Sequence, residues 1–542
     1  MKPVARRMLS MLSILLTVAV FATSAIAAPG NDGPLAPYEE PVTITWAVQA
    51  SQVQKFFDGD TYDNNRWSRR IKELLNIDVE VGFSADISTD AYRNKINAVL
   101  ASGDLPDITR WSDRTFFNQA YEAGYLYDLT DLFEEHASEG VKSYRDRYPD
   151  SFKGASFEGR LYGFPYMVNN FHQAVYLWIR DDWLENTGMQ PPTTVDELIE
   201  LARVFTYGDP DGNGLDDTYG LALNNKVVNT DFGTISGLLS AFGVPTYGQN
   251  CFYRGPDGKM TFGFIQPEVK EALAVVRQLY EEGLIDPEFV VKDGGALEAD
   301  VASGKVGMMF HMNWGTWYPF NIIFEAEGVI TRPYPVPTQP GRDFKIGIES
   351  NETGDVFFLN ANTKHPEAFI KILNLYDATV NESNDPADFQ EFWADEQYRL
   401  CPVFVGIPTE LYAPELHAAL PTNDRESLPP GVRPYYDWVK GFEAGTDTNP
   451  NAYGTWGQMF ERGSMAIALY DYEGHVVQSV MANERPEIWM TNGPLLESLV
   501  ETTFTDIITG AKPLDAFDQF VQEWLANGGQ QTLDELEIMY PL

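Results

Sequence analysis

Oxygen-bearing side chains recur at alternate positions in residues 209–220, an acidic segment interrupted by glycines. Gly214 lies where a loop of this kind must turn sharply, and the backbone carbonyl of Leu215 supplies one more oxygen. The other oxygens come from the side chains of Asp209, Asp211, Asn213, Asp217 and Thr218. Hard oxygen ligands that converge at this spacing are characteristic of calcium-binding loops. We therefore predict a structural Ca²⁺ site formed by these residues.

The end of this loop differs from that of an EF-hand. Gly220 occupies the position of the closing glutamate, so the segment predicts a structural ion rather than a regulatory switch. The alternative interpretation is an acidic surface turn without an ion. Carboxylates packed this closely repel one another without a cation, which favours the calcium site.

A second candidate site follows the third predicted strand, where Trp111 is followed by Asp113 and Arg114. The C-terminal ends of parallel strands face the ligand crevice in open α/β sheets. A flat aromatic ring stacks on the apolar face of a sugar, and charged neighbours bind its hydroxyl groups. The alternative is a partly buried tryptophan beside a surface ion pair.

An aromatic cluster with the same character occupies residues 313–318, directly after a short predicted strand at 306–310. It contains Trp314 and Trp317, separated by glycine and threonine. These rings are candidates for a second stacking surface. The alternative is that they pack in the interior.

The elements that must position these residues begin with a β-α-β unit. Apolar residues alternate in 42–48 and again in 77–83, and helical periodicity occupies the stretch between them. A second helix ends at Gly103, and residues 106–108 lead into a third strand. Parallel strands joined by helices cross over right-handed, so this part of the chain is predicted to be α/β with a mainly parallel sheet.

Further elements are predicted downstream. Residues 175–179 form a buried strand, a helix capped by Thr194 and Glu197 leads to the calcium loop, and another helix covers 268–282. We expect the calcium loop to hold the end of its helix rather than to contact ligand. Residues 335–341 resemble a segment that crosses between lobes.

Composition and the N-terminus indicate an exported protein. The 542-residue chain has a net charge of −41 and a pI near 4.4, which argues against binding to nucleic acid or to anionic membrane surfaces. Residues 1–28 have the charged start, apolar run and small-residue cleavage pattern of a signal peptide, and 29–41 read as a linker. The alternative is a retained membrane anchor. No cysteine lies near the cleavage site, so we expect a periplasmic or extracellular protein without an N-terminal lipid.

The sequence contains none of the common catalytic signatures. No GxSxG, HExxH or phosphate-binding loop occurs, and the histidines lack metal-ligand spacing. Cys251 and Cys401 are the only cysteines, and the sequence leaves open whether they pair.

Several motifs together resemble family 1 extracellular solute-binding proteins, the sugar receptors of ABC importers. The motifs lie at residues 100–108, 163–166, 179–184, 192–198 and, towards the end of the chain, 507–529. The last of these is similar to the large LplA-like branch, and the loop from Asp209 resembles the calcium site of alginate-binding receptors. The resemblance implies an α/β, two-lobed periplasmic-binding-protein-like fold of type II with the ligand in a cleft between lobes. It suggests one lobe from 42–170 and 336–380, and a second from 171–335 and 381–542.

The resemblance also implies ligand-binding residues. The segment from Trp111 to Arg114 resembles the Trp-then-Asp-Arg ligand segment of maltodextrin receptors, one residue shorter here, and Trp314 and Trp317 resemble their cleft aromatics. Tyr166, in one of the family motifs, is included with them. Two features depart from the pattern: many LplA-like members have a lipidated N-terminal cysteine, and Thr218 stands where the alginate receptors have an acid.

Three functional classes follow from these observations. We favour a monomeric transport receptor that captures an oligosaccharide and delivers it to the permease of an ABC transporter. A sugar sensor that feeds a membrane kinase would have the same sequence features. A secreted carbohydrate-active enzyme is disfavoured, because acid pairs such as Asp181 and Asp182 point apart on a helix and cannot flank one glycosidic bond.

Overall fold

A computed structural model describes most of the chain. The described residues are 33–51, 54–57, 59–87, 90–112, 114–167, 171, 174–228, 232–246, 251–348, 353–406, 411–481 and 485–541. The predicted signal peptide at 1–28 lies outside them, as does the start of the predicted linker. Within the described part of the chain, no helix is both long enough and apolar enough to cross a membrane.

The secondary structure mixes helices with short strands. In chain order the strands are β1 Val42–Ala50, β2 Ile77–Asp86, β3 Ile108–Trp111, β4 Ser156–Phe157, β5 Arg160–Leu161, β6 Gly163–Met167, β7 Tyr176–Arg180, β8 Tyr219–Leu221, β9 Phe252–Arg254, β10 Met260–Phe262, β11 Val306–His311, β12 Thr331–Tyr334, β13 Ile346–Ile348, β14 Thr353–Leu359 and β15 Val476–Gln478. The α-helices are Arg66–Leu75, Asp90–Ser102, Arg114–Glu122, Thr130–His136, Glu139–Arg147, Pro149–Gly154, Asp181–Thr187, Val195–Tyr207, Ser236–Ala241, Pro267–Glu281, Gly294–Ala302, Phe320–Glu327, Glu367–Val380, Pro386–Phe392, Ala413–Thr422, Arg433–Glu443, Pro450–Met459, Ser464–Ala466, Glu487–Ile508, Ala516–Trp524 and Gln530–Met539.

The first sheet has the strand order β2-β1-β3-β14-β6. Strand β1 pairs in parallel with both β2 and β3, as the β-α-β pattern predicts, whereas β14 is antiparallel to β3 and β6. The connecting helix Arg66–Leu75 starts at a capping box made by Asn65 and Ser68, and buries Trp67, Ile71 and Leu75. The C-terminal ends of β1, β2, β3 and β6 therefore lie at one edge of this sheet.

The second sheet has the order β12-β7-β11-β8. Strands β8 and β11 are parallel, and β7 is antiparallel to its neighbours β11 and β12. The helix Val195–Tyr207 that precedes β8 has the predicted capping box of Thr194 and Glu197. Helix Pro267–Glu281 buries the apolar face that its 3.6-residue period indicates, formed by Val269, Ala272, Leu273, Val276 and Leu279.

Two hydrophobic cores divide the chain. Buried residues up to Met167, together with those of 356–465, form the first core. Those of 174–348 and from Ile467 onward form the second, except that Phe324 packs in the first. Among the described residues, the core to which buried side chains belong therefore changes between Met167 and Ala174, between Ile348 and Val356, and between Met465 and Ile467.

The observed division differs from the expected lobes in two places. Residues 381–465 were expected in the second lobe, but their helices pack into the first core beside helix Glu367–Val380. The expected crossing at 335–341 lies within the second unit instead, where Thr338 bridges to Thr194 and Val336 is buried. The physical reason is that the sequence pattern of an amphipathic helix or extended segment predicts which face is buried. It does not predict which core that face packs against.

Two smaller features complete the fold. The part of the predicted linker that the structure describes packs against the first core, since Lys371 Nζ donates to the carbonyl of Ala36 and Tyr38 contacts Glu367. No disulfide joins Cys251 and Cys401. Both are buried, and Cys401 Sγ donates to the carbonyl of Val403 at 3.1 Å.

Candidate functional site

Trp111 ends β3 at the C-terminal edge of the first sheet, as the sequence predicts, but its ring is only 8% exposed. It packs against Tyr92 with ring centroids 5.1 Å apart. In the described residues it is therefore part of the core, and it is more deeply buried than the partly buried ring that the sequence left open as the alternative. Asp113 lies outside the described residues, and so does the side chain of Arg114, which begins the next helix.

Arg110 precedes Trp111 and points to the opposite face of the sheet, because side chains alternate along a strand. Its guanidinium carbon lies 5.2 Å from the ring centroid of Tyr166 and 4.8 Å from that of Phe404. Arg110 also forms an ion pair with Asp355. Tyr166, a predicted ligand-binding residue, is half-buried on β6 within this aromatic and charged group.

The aromatic segment 313–318 follows β11 at the C-terminal edge of the second sheet. The partly buried ring of Trp314 packs against the second core, with its centroid 4.3 Å from that of His311 in an edge-to-face arrangement. The ring of Trp317 packs against the first core, and its Nε1 donates to Gln458 Oε1 at 3.1 Å. Thus one six-residue segment contacts both cores.

Hydrogen bonds and close packing attach this segment to helix Pro450–Met459 and the residues after it. Thr316 Oγ1 donates to the carbonyl of Gly454 at 3.1 Å, and Ser464 Oγ donates to the carbonyl of Asn313 at 2.7 Å. A Cβ at Gly454 would lie 2.5 Å from the ring of Trp317, so only glycine permits this approach. The position of the segment is therefore fixed by the first unit as well as by the second.

The ring of His311 packs edge-to-face against the Trp314 ring. The His311 ring is fully buried and stacks on Phe232 with the ring centroids 5.3 Å apart. Burial lowers the pKa of His311 to about 3, so the ring is neutral at physiological pH.

Sequence reasoning missed two exposed rings near the first sheet. Phe56 and Phe57 follow β1 and are 41% and 37% exposed, unlike Trp111. Both come shortly after the C-terminal end of a parallel strand, the criterion that selected Trp111, so the sequence contained a signal that could have found them.

The predicted calcium loop is solvent-exposed over most of its length. Asn213 Nδ2 donates to Asp211 Oδ2 at 2.7 Å and to Asp217 Oδ1 at 3.3 Å, and both carboxylate oxygens of Asp209 accept from the backbone N–H of Gly214. Desolvation raises the pKa of Asp211, and the neighbouring carboxylates of Asp209 and Asp217 raise it further. The acids of this loop therefore converge.

The fit of these residues to a cation is partial. An amide nitrogen of Asn213 sits between two carboxylates, as a cation would, and rotation of the amide would present its oxygen instead. Thr218 does not fit: its side chain is buried, and its hydroxyl donates to the carbonyl of Phe205 at 2.8 Å. Nowhere in the described ranges do three or more His, Cys, Asp or Glu side chains form a group arranged to hold a metal ion.

The loop is separated from the aromatic segment by the length of the second sheet. It precedes β8, whereas residues 313–318 follow β11, and the two strands are parallel. The loop is tied instead to the neighbouring helix, since Asn186 Nδ2 donates to the carbonyl of Pro210 at 2.9 Å. It therefore cannot contact a ligand bound at the aromatic segment.

The sequence matches one protein family and several individual bacterial proteins. A family model described as bacterial extracellular solute-binding protein matches residues 71–376. The lipoprotein LipO of Bacillus subtilis is 31% identical over 225 residues, which cover 41% of this chain and 42% of that protein. The fructooligosaccharide ABC transporter substrate-binding protein FusA of Streptococcus pneumoniae is 27% identical over 304 residues, covering 54% of each. The chain thus spans about half the length of these curated relatives.

Solved structures share the fold over most of the chain. A solute-binding protein of Bifidobacterium longum infantis, described as HMO binding and associated with an ABC transporter, superimposes with a TM-score of 0.65 at 18% identity, covering 92% of this chain and 98% of that one. FusA superimposes with a TM-score of 0.63 at 18% identity, covering 92% and 98%, in a structure described as an EF-hand mutant. At these identities the likeness establishes the two-unit fold alone.

Proposed function

The chain belongs to the bacterial extracellular solute-binding proteins, a family of binding proteins rather than enzymes, and from this premise we propose that it captures an oligosaccharide between its two α/β units. The bound sugar is then delivered to the membrane permease of an ABC transporter. This assignment places the protein outside the cytoplasm.

The observation that carries the proposal is the position of the aromatic segment 313–318. Trp314 packs against one core and Trp317 against the other. A ligand that stacks on both rings therefore contacts side chains that are attached to both units. The relatives support a sugar as the ligand, because FusA is named a fructooligosaccharide-binding protein of an ABC transporter.

The mechanism is binding coupled to closure. A ligand that contacts both units binds the closed form better, so binding shifts the protein towards that form. In this proposal the sugar stacks on Trp314 and Trp317 and hydrogen-bonds to Tyr166, Asp113 and Arg114. A role for Trp111 requires its ring to leave its contact with Tyr92. The closed form is what the permease recognises.

A screen of oligosaccharides by thermal shift, followed by calorimetry, tests this function. Trp317→Ala should weaken the binding of a sugar found in the screen by roughly ten- to a hundredfold, since base stacking on an aromatic ring contributes about 1–3 kcal/mol. The control is Tyr207→Ala, which removes an exposed ring near the calcium loop and should leave affinity unchanged. Failure of every oligosaccharide to bind would refute the proposal, and cleavage of a bound sugar would reassign the protein to the enzymes.

We further propose that the loop from Asp209 holds a structural Ca²⁺. Asp209, Asp211, Asn213 and Asp217 would supply side-chain oxygens and Leu215 a carbonyl, whereas Thr218 is engaged elsewhere. When bound, the ion would neutralise the converging carboxylates and cross-link the loop. The description of a FusA variant as an EF-hand mutant supports a site of this type in a relative.

Melting temperatures with Ca²⁺ and with EDTA test the ion site. Free ion at a hundredfold excess over its dissociation constant stabilises a protein by about 2.7 kcal/mol. Asp211→Asn should abolish that gain, whereas Asp216→Asn, in the same loop but outside the alternating positions, should retain most of it. A melting temperature insensitive to both Ca²⁺ and EDTA, in protein shown by elemental analysis to be free of calcium, would refute the site.

A further inference from the structure

A small cavity lies under the C-terminal ends of β1 and β3, beside the candidate site. Its polar lining includes Trp46 and Gln49 of β1, Arg110 of β3, and Arg399. The cavity measures about 20 Å³, slightly more than the roughly 10–15 Å³ that one water-sized group needs. It can therefore hold a small terminal group of a ligand, but not a sugar ring.

Arg110 is held rigidly at the wall of this cavity. Its guanidinium carbon lies 4.8 to 5.4 Å from the ring centroids of Phe404, Tyr166 and Phe357, and an ion pair with Asp355 engages its Nε. The Nη groups of Arg110 make no hydrogen bond within the part of the chain that the structure describes. They remain as donors that are already positioned.

Arg399 presents a second guanidinium group to the same cavity. Its ion pair with Glu396 also uses Nε, and its Nη groups likewise have no hydrogen-bond partner in the described ranges. Both arginines line the cavity, and neither of the paired carboxylates does. The carboxylates that neutralise the two arginines therefore lie outside the cavity.

Trp46 adds a buried donor. Its side chain is 5% exposed, and its Nε1 has no hydrogen-bond partner among the described residues. A buried indole N–H normally has a partner, because an unsatisfied buried donor costs about 1–3 kcal/mol. A ligand atom in the cavity would satisfy this group.

The chemistry of the lining selects the ligand group. Trp46, Arg110 and Arg399 carry N–H donors and no acceptor, and guanidinium groups match the geometry of a carboxylate. A hydroxyl can also accept these hydrogen bonds, but only a carboxylate carries the negative charge that pairs with both guanidinium groups.

We propose that this cavity binds the carboxylate of a uronate residue, so that the ligand is an acidic oligosaccharide. This inference rests on the proposed function, since it assumes that the ligand is a sugar bound between the two units. The sugar ring stays in the cleft, and one oxygen of its carboxylate enters the cavity between the two arginines.

Calorimetry with paired sugars tests the inference. The probes are oligomers of galacturonate, mannuronate and glucuronate, each with its carboxyl-reduced counterpart of the same linkage. At least one acidic oligomer should bind about ten- to a hundredfold more tightly than its reduced partner, the range expected for hydrogen bonds to a charged group. Arg399→Gln should remove most of that preference. Trp46→Phe, which keeps an aromatic ring but deletes the N–H, should reduce it severalfold and serves if Arg399→Gln fails to fold.

Arg425→Gln is the matched control. Arg425 lies in the same unit, is paired with Asp437, and has a side chain 34% exposed, against 38% for Arg399. This variant should keep the full preference for the acidic sugar. Equal binding of acidic and reduced sugars, or an unchanged preference in both Arg399→Gln and Trp46→Phe, would overturn the inference while leaving the proposed function intact. Failure of every acidic and neutral oligosaccharide to bind would overturn both.

Discussion

Asp377 provides a direct test of how burial acts on this fold. It lies on helix Glu367–Val380, is 1% exposed, and has no cationic partner in the described part of the chain. Its Oδ1 accepts hydrogen bonds from Tyr144 Oη at 2.8 Å and from Asn381 Nδ2 at 2.9 Å. Burial raises the pKa of Asp377 from 3.8 to about 6, because desolvation penalises the charged form more than these two hydrogen bonds favour it.

The sign and size of the effect follow from this shift. Between pH 4 and 6 the folded state holds a proton on Asp377 that the unfolded state has released, so the free energy of unfolding falls as the pH rises through this window. A difference of about two pKa units, at about 1.4 kcal/mol each, amounts to about 3 kcal/mol. The variant Asp377→Asn keeps a side-chain oxygen acceptor and cannot ionise. Its stability relative to wild type should therefore increase by about 3 kcal/mol from pH 4 to pH 7.

Urea denaturation of both proteins across this pH range provides the assay. All other titrating groups are common to the two proteins and cancel in the difference. Asp104→Asn removes a charge from an exposed position and serves as the control, for which we expect no comparable trend. A wild-type-to-Asp377→Asn difference that stays constant with pH, or that changes with the opposite sign, would refute the reasoning.

Two further predictions concern the second unit. The pKa of His311 is lowered to about 3, so below pH 6.5 the unfolded state takes up a proton that the folded state excludes. The free energy of unfolding of wild type should therefore fall by about 3 kcal/mol relative to that of His311→Leu between pH 7 and pH 4.5. Parallel pH profiles of the two proteins in urea denaturation would contradict this. Gly237→Ala should destabilise the second unit by about 1–3 kcal/mol, because the new Cβ would lie 2.0 Å from the ring of Phe310. Gly295→Ala is its helical control, since a Cβ there meets no atom closer than 3.6 Å, and thermal unfolding should find that variant no less stable than wild type.

The calcium loop shows what local spacing can and cannot predict. Alternating oxygens bring Asp209, Asp211 and Asp217 together, as the sequence indicates, because all the relevant contacts lie within nine residues. The role given to Thr218 does not follow from spacing, since its hydroxyl is bound to the carbonyl of Phe205 on the preceding helix. The carbonyl of Phe205 competes for the hydroxyl of Thr218, and only the tertiary structure shows that this carbonyl lies within reach.

The candidate binding residues show the same limit more strongly. Alternation along β3 requires Arg110 and Trp111 to lie on opposite faces, but it does not indicate which face meets aromatic rings and which meets a cavity. The structure buries Trp111 against Tyr92 and leaves Phe56 and Phe57 exposed. Exposure depends on what covers a side chain, which comes from residues far away in the chain.

The sequence by itself determined the elements whose causes are local. Helix periods, capping boxes, the parallel β-α-β unit and the acidic loop are set by sterics and hydrogen bonds between near neighbours. The tertiary structure alone decided that residues 381–465 join the first core, and that Trp46, Arg110 and Arg399 line one cavity. An apolar face is satisfied by any complementary core, so its partner is chosen by the global packing of the chain and not by the pattern that made the face.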